Sequence, residues 1–120
     1  MTSSRILKAL DPTRLVDFNS GGPGNNLGLG DVFDLHDYPD PPTGKALASA
    51  TQYGEVGEFG GIGWAPTGHE WLPGSCQKRS AGNVGTSSSQ GMQIYLGELA
   101  RAKLEIVAGN ISAIVYTQVA

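Results

Sequence analysis

Residues 56–61 carry a glutamate at the end of a short apolar run and follow it with the adjacent glycines Gly60 and Gly61. A carboxylate that ends a buried strand is costly to place there unless it is paired or used. Glycines directly behind it leave space where a ligand or another backbone segment can approach. The run therefore predicts that Glu58 lies at the carboxyl end of a parallel strand and faces an open site. A solvated loop glutamate beside glycines is the alternative.

Helix-like and strand-like segments alternate along the chain. Apolar spacing predicts a helix over residues 4–10, which Asp11-Pro12 ends, and a second helix whose core-facing stripe runs from Met92 to Ile106. Hydroxyls at 87–89 and Gly109 are the expected caps of the second helix. Four segments are predicted as strands: 14–18, 31–36, 53–58 and 111–118, with a short helical turn over 46–50. Strands that alternate with helices or long crossovers predict an α/β fold with a parallel sheet.

Polar side chains gather at the carboxyl ends of all four predicted strands. They are Asn19 and Ser20, His36 and Tyr38, Glu58, and Tyr116 and Gln118. Because the carboxyl ends of parallel strands meet at one edge of a sheet, these groups are expected to converge. Core packing does not explain four strands that all end in polar groups, so the repetition favours an active site.

Composition excludes several classes of partner. The chain has 120 residues, enough for one modest core, and a net charge of -3 without the basic cluster that nucleic-acid binding requires. No apolar run is long enough to span a bilayer and no hydrophobic signal core follows Met1, so a membrane is not expected as a partner and localisation stays open. Cys76 is the single cysteine, and with two distant histidines it predicts no disulfide, metal site or cofactor.

Several blocks of the chain occur in the order found in glycoside hydrolase family 2, the β-galactosidase and β-glucuronidase group of retaining enzymes. The blocks are residues 10–16, 31–39, 57–61, 68–71 and 115–118. The blocks are spread from residue 10 to residue 118. The resemblance therefore covers nearly the whole chain, which is similar to the second half of that family's (β/α)₈ catalytic barrel. The resemblance implies that residues 1–120 are a single incomplete domain, with strands five to eight of a TIM barrel and long βα loops.

The resemblance also implies a role for each site residue in the hydrolysis of a β-glycoside. Glu58, at the end of strand seven, would be the catalytic nucleophile. His36 and Tyr38 would border the sugar subsite, with the tyrosine hydroxyl bonded to the nucleophile or the sugar. The other residues expected to bind the carbohydrate are Asn19, the loop residues Trp64, His69 and Trp71, and the strand-eight residues Tyr116 and Gln118.

The sequence departs from the family pattern at the second carboxyl group. The acid/base residue is expected on an Asn-Glu pair after strand four, and the chain contains no such pair. A full barrel takes about 250 residues, so the remainder of the barrel is an expected partner and the isolated chain is expected to be inactive. A non-catalytic carbohydrate-binding or assembly remnant is the alternative. The identity of the sugar and the oligomeric state stay open.

Overall fold

The computed structural model describes residues 3–21, 27–43, 49–63 and 87–117. Within these ranges the elements are α1 (Ser3–Leu10), β1 (Val32–His36), β2 (Tyr53–Gly60), α2 (Ser88–Val107) and β3 (Ala113–Thr117). The strands form a sheet in the order β1-β2-β3, and both pairs are parallel. The predicted α/β class with a parallel sheet is therefore confirmed. No helix in the described ranges is long and apolar enough to cross a bilayer.

The predicted caps of α2 are confirmed at both ends. Ser87 has extended backbone angles, and its hydroxyl oxygen accepts the N–H of Gln90 at 3.2 Å. At the other end Gly109 adopts φ +75°, a conformation that residues with a Cβ rarely adopt. The N–H of Asn110 then donates back to the carbonyl of Glu105 at 3.0 Å, which satisfies one of the last helical carbonyls. Local sequence signals therefore fix the length of this helix.

The prediction of a strand over residues 14–18 is wrong. The segment makes one parallel bridge, between Asp17 and Val32. The N–H of Val16 donates to the Asp31 carboxylate at 2.8 Å, and its carbonyl accepts the backbone N–H of Asp31 at 2.8 Å. The Asp31 side chain thus occupies the Val16 N–H, which is then not free to pair with a backbone carbonyl and extend the ladder. Pairing of this segment with β1 is limited to the single bridge. The predicted turn over 46–50 lies mainly outside the described residues.

The core lies between the sheet and α2. Its buried cluster consists of Leu35, Val56, Phe59, Ala102 and Ile111, with Phe33, Leu99, Ile114 and Tyr116 packed against it.

The prediction that the Met92-to-Ile106 stripe faces this core is only partly correct. Met92 and Leu96 are more than half exposed, whereas Glu98 is fully buried and Glu105 is 9% exposed. The buried face of α2 is therefore rotated so that two carboxylates lie on it.

Strand β2 contains a bulge just before its carboxyl end. Between Val56 and Phe59 it advances three residues while β3 advances two, and one extra residue at the same place is also seen against β1. Val56 and Phe59 are both fully buried in the core although they are three residues apart. The bulge thus lets Gly57 and Glu58 depart from regular alternation, and Glu58 contacts His36 and Tyr38 instead of the core.

Candidate active site

The Glu58 carboxylate lies near the carboxyl end of β2. Two residues at the end of β1, His36 and Tyr38, contact one of its oxygens. The Tyr38 hydroxyl donates to Oε2 at 2.6 Å, and His36 Nδ1 lies 3.3 Å from the same oxygen. Neither contact uses Oε1, and the Glu58 side chain is 42% exposed. An oriented carboxylate that solvent can reach has the properties required of a nucleophile or a proton acceptor.

Tyr38 is held in its neutral, hydrogen-donating form. Burial raises the pKa of its hydroxyl above the ordinary value, and the hydrogen bond to Glu58 raises this pKa further. The same hydroxyl contacts Thr117 Oγ1 on β3, and Thr117 in turn donates to the carbonyl of Phe59 at 3.3 Å. All three strands are therefore connected at this edge of the sheet.

A buried carboxylate, Asp34, lies behind His36. Its side chain is 4% exposed, and its Oδ2 lies 3.1 Å from His36 Nε2. The same oxygen accepts the Ser20 hydroxyl at 3.1 Å and the Gly21 N–H at 3.0 Å, while Oδ1 accepts the Gly57 N–H at 2.7 Å. A carboxylate with this many donors is stable in a buried position.

A second acidic side chain lies near Asp34. Glu55 is paired with Asp34 in the register of β1 and β2. Partial burial raises the pKa of Glu55, and the negative charges of Asp34 and Asp17 raise it further. The carboxylates of this face thus repel one another, which makes the donors around Asp34 important for its stability.

The structure brings together three of the predicted site residues, His36, Tyr38 and Glu58. Sequence reasoning did not select Asp34 or Thr117 as site residues. Within the described residues Ser20 and Gly21, rather than the predicted Asn19, make the hydrogen bonds that join residues 19–21 to this cluster. Four predicted site residues lie outside the described ranges: Trp64, His69, Trp71 and Gln118.

Tyr116 is placed in the core and not beside Glu58. Its ring meets those of Phe59 and Tyr95 edge to face, with centroids 5.3 and 4.8 Å apart. Its hydroxyl bonds to Glu98 and to the backbone of Ile62. Because successive strand residues point to opposite faces, Thr117 reaches the site where Tyr116 was expected.

The pKa of Tyr116 provides a prediction about alkaline stability. Burial, followed by the charge of Glu98, raises this pKa from 10.0 to about 12. The folded protein therefore keeps a proton that the unfolded chain releases between these values, so the free energy of unfolding must fall as pH rises through that window. Urea titrations from pH 9 to 12 should show a steeper decline for the wild type than for Tyr116→Phe. Parallel profiles would contradict the assignment.

The described residues contain no group of three or more His, Cys, Asp and Glu side chains arranged to hold a metal ion. Four of the site residues instead form a chain of hydrogen-bonded side chains, Asp34–His36–Glu58–Tyr38, in which the Glu58 carboxylate is partly exposed. Such an arrangement is suited to nucleophilic or acid–base chemistry. No protein-family model matches the chain, and no curated protein matches it at a significant level.

Proposed function

We propose that the chain carries the nucleophile of a retaining β-glycosidase and that Glu58 is this nucleophile. The observation that supports the proposal most directly is the exposed Glu58 carboxylate at the end of a parallel strand, bonded through one oxygen to Tyr38 and His36. A retaining enzyme needs an ionised carboxylate that is held in place while a face of it stays accessible to the sugar. Donors from a phenol and an imidazole favour the anion and fix its direction.

In the proposed first step, a Glu58 oxygen forms a bond to the anomeric carbon while the bond from that carbon to the aglycone oxygen breaks. The electron pair leaves with the aglycone oxygen, which receives a proton from a second carboxyl group. In the second step that group removes a proton from water, and the water oxygen displaces Glu58 from the sugar.

The second carboxyl group has to lie about 5 to 5.5 Å from the nucleophile in a retaining enzyme. Asp34 does not suit this role, because it is buried and already accepts several hydrogen bonds. We therefore propose that the acid/base residue comes from the remainder of a (β/α)₈ barrel. In that barrel β1, β2 and β3 would be strands six to eight, and the bridge at Asp17 would belong to strand five.

The test is covalent labelling of the full chain with 2,4-dinitrophenyl 2-deoxy-2-fluoro-β-glycosides of galactose, glucose, glucuronic acid and mannose. Dinitrophenolate departs without protonation, so the label requires the nucleophile but not the acid/base residue. The fluorine slows hydrolysis of the ester, so the adduct accumulates. We expect a mass increase of one fluoroglycosyl group, which peptide mapping assigns to Glu58. An adduct on another residue would contradict the proposal.

A carbohydrate-binding role without turnover is the second candidate. It is favoured by the missing Asn-Glu pair and by the engagement of Asp34 in structural hydrogen bonds. Isothermal titration with the corresponding free sugars separates the two functions. Saturable sugar binding with no adduct from any of the four reagents would support this candidate and exclude the nucleophile assignment.

A further inference from the structure

We infer that Asp34 is a positioning residue, which aims Glu58 by holding both the β2 bulge and the His36 ring. The expected effect of Asp34 on the rate at which Glu58 is labelled rests on the proposed function. Its role in holding the bulge and the ring does not. Asp34 acts on Glu58 through two intermediate residues. Its Oδ1 accepts the Gly57 N–H, and its Oδ2 contacts the ring of His36.

Asp34 holds the bulge of β2 through the Gly57 amide. A bulge adds one residue to a strand and leaves its backbone groups outside the regular ladder. The N–H of Gly57 lies at the bulge of β2 and donates to Asp34 Oδ1 at 2.7 Å. Because an unsatisfied buried amide is costly, this bond favours the bulged register over a regular one. The bulged register is the one in which Glu58 meets His36 and Tyr38.

Close packing supports the same conclusion. A Cβ built on Gly57 would lie 2.3 Å from Asp34 Oδ1 and 2.6 Å from Oδ2. The carboxylate therefore fills the space that any other residue at position 57 would need for its side chain. Gly57 and Asp34 form one unit: because Gly57 on β2 has no side chain, the carboxylate of Asp34 on β1 can pack directly against its backbone.

Asp34 also holds the ring of His36. Its Nε2 lies 3.1 Å from Asp34 Oδ2, and its Nδ1 lies 3.3 Å from Glu58 Oε2. An ionised carboxylate can only accept hydrogen bonds, so a ring nitrogen has to donate to the carboxylate that it faces. Both nitrogens of the ring donate at once in the imidazolium form. Asp34 orients the ring from behind, and Ser20, whose hydroxyl lies 3.2 Å from Nε2, supports the same edge. With the ring fixed, Nδ1 is directed at the proposed nucleophile.

The test compares Asp34→Asn with the matched control Asp37→Asn in the full chain. Asparagine keeps the shape of aspartate but replaces one acceptor oxygen by a donor, so it cannot accept at both ends of the unit. Asp37 follows β1 and is exposed, and its backbone N–H donates to the carbonyl of Glu58 at 3.0 Å. The substitution therefore changes the same charge and leaves this backbone bond to β2 in place. The structural readouts are the Gly57 amide signal and the His36 ring nitrogens in ¹⁵N NMR, the latter assigned by their loss in His36→Gln.

We expect Asp34→Asn to displace the Gly57 and His36 signals and to slow labelling of Glu58 by about 100-fold, the cost of a misplaced reacting group. Asp37→Asn should leave both unchanged. If Asp34→Asn retains the wild-type signals and labelling rate, the inference is overturned.

Ser20→Ala tests the inference if Asp34→Asn does not fold, because Ser20 is exposed and its loss leaves the bulge bond in place. It should displace the His36 signals and slow labelling relative to the wild type, and an unchanged spectrum and rate would overturn the inference. If the wild type takes no label, the glycosidase proposal fails and the NMR signals alone decide. Their displacement then supports the positioning role, and their constancy overturns it.

Discussion

Replacing Glu58 by glutamine is expected to abolish covalent labelling completely while the fold is retained. The amide oxygen of glutamine can still accept the hydrogen bond that Tyr38 donates to Oε2 at 2.6 Å. The position is on the partly exposed edge of the sheet, so no buried charge is left without a partner when the carboxylate is removed. What disappears is the nucleophilic oxygen. Intact-mass spectrometry after incubation with the fluoroglycosides measures the loss, and circular dichroism verifies the fold.

Glu55→Gln is the matched control for this prediction. Glu55 lies on the same strand, and its substitution removes the same charge without removing the proposed nucleophile. Labelling should persist in Glu55→Gln, and an adduct that persists in Glu58→Gln would refute the assignment. A complementary variant, Glu58→Gly, opens space for azide. If Glu58 is the nucleophile, azide should displace dinitrophenolate from a β-glycoside and yield the α-glycosyl azide, because a single displacement inverts the anomeric centre.

Gly57→Ala is expected to damage the same site by a steric route and to destabilise the protein. The new methyl group would lie 2.3 Å from an oxygen of Asp34, far inside van der Waals contact. Either the carboxylate or the β2 backbone has to move, and crowding of this kind costs about 1–3 kcal/mol of unfolding free energy. Labelling at Glu58 should fall together with stability, because the bulge and His36 depend on the displaced carboxylate.

Gly97→Ala provides the control, since Gly97 lies in α2 and a Cβ there meets nothing within 4 Å. This substitution should stabilise the protein by about 0.5–1 kcal/mol, because alanine favours the helix. Urea denaturation of the two variants beside the wild type measures both effects. Equal midpoints for Gly57→Ala and the wild type would show that position 57 tolerates a side chain, contrary to the described contact.

The sequence was sufficient for the parts of the fold that depend on local signals. Both helices were predicted, and the caps of α2 follow from hydroxyl and glycine positions that act within one turn. The meeting of His36, Tyr38 and Glu58 was also predicted, because each residue stands at or just past the end of a parallel strand. These inferences needed only spacing and strand direction.

The missed features depend on contacts between distant parts of the chain. Apolar periodicity assigns a glutamate to the solvent side of a helix, yet Glu98 is buried because the Tyr116 hydroxyl reaches it from β3. Thr117 was missed because the choice between it and Tyr116 depends on which face β3 turns to the helix. The pairing expected for residues 14–18 was limited by one side chain, Asp31, that bonds the Val16 amide.

Because of the bulge in β2, the alternation of side chains between the two faces of the sheet shifts by one residue within a single strand. The shift occupies the interval between two fully buried residues, Val56 and Phe59. The strand can therefore turn an acidic group outward without withdrawing either hydrophobic anchor from the interior. Placing this strand in another sheet would require an aspartate equivalent to Asp34 on the neighbouring strand. Without that aspartate, the Gly57 amide would lack its acceptor and the space beside Gly57 would be unfilled.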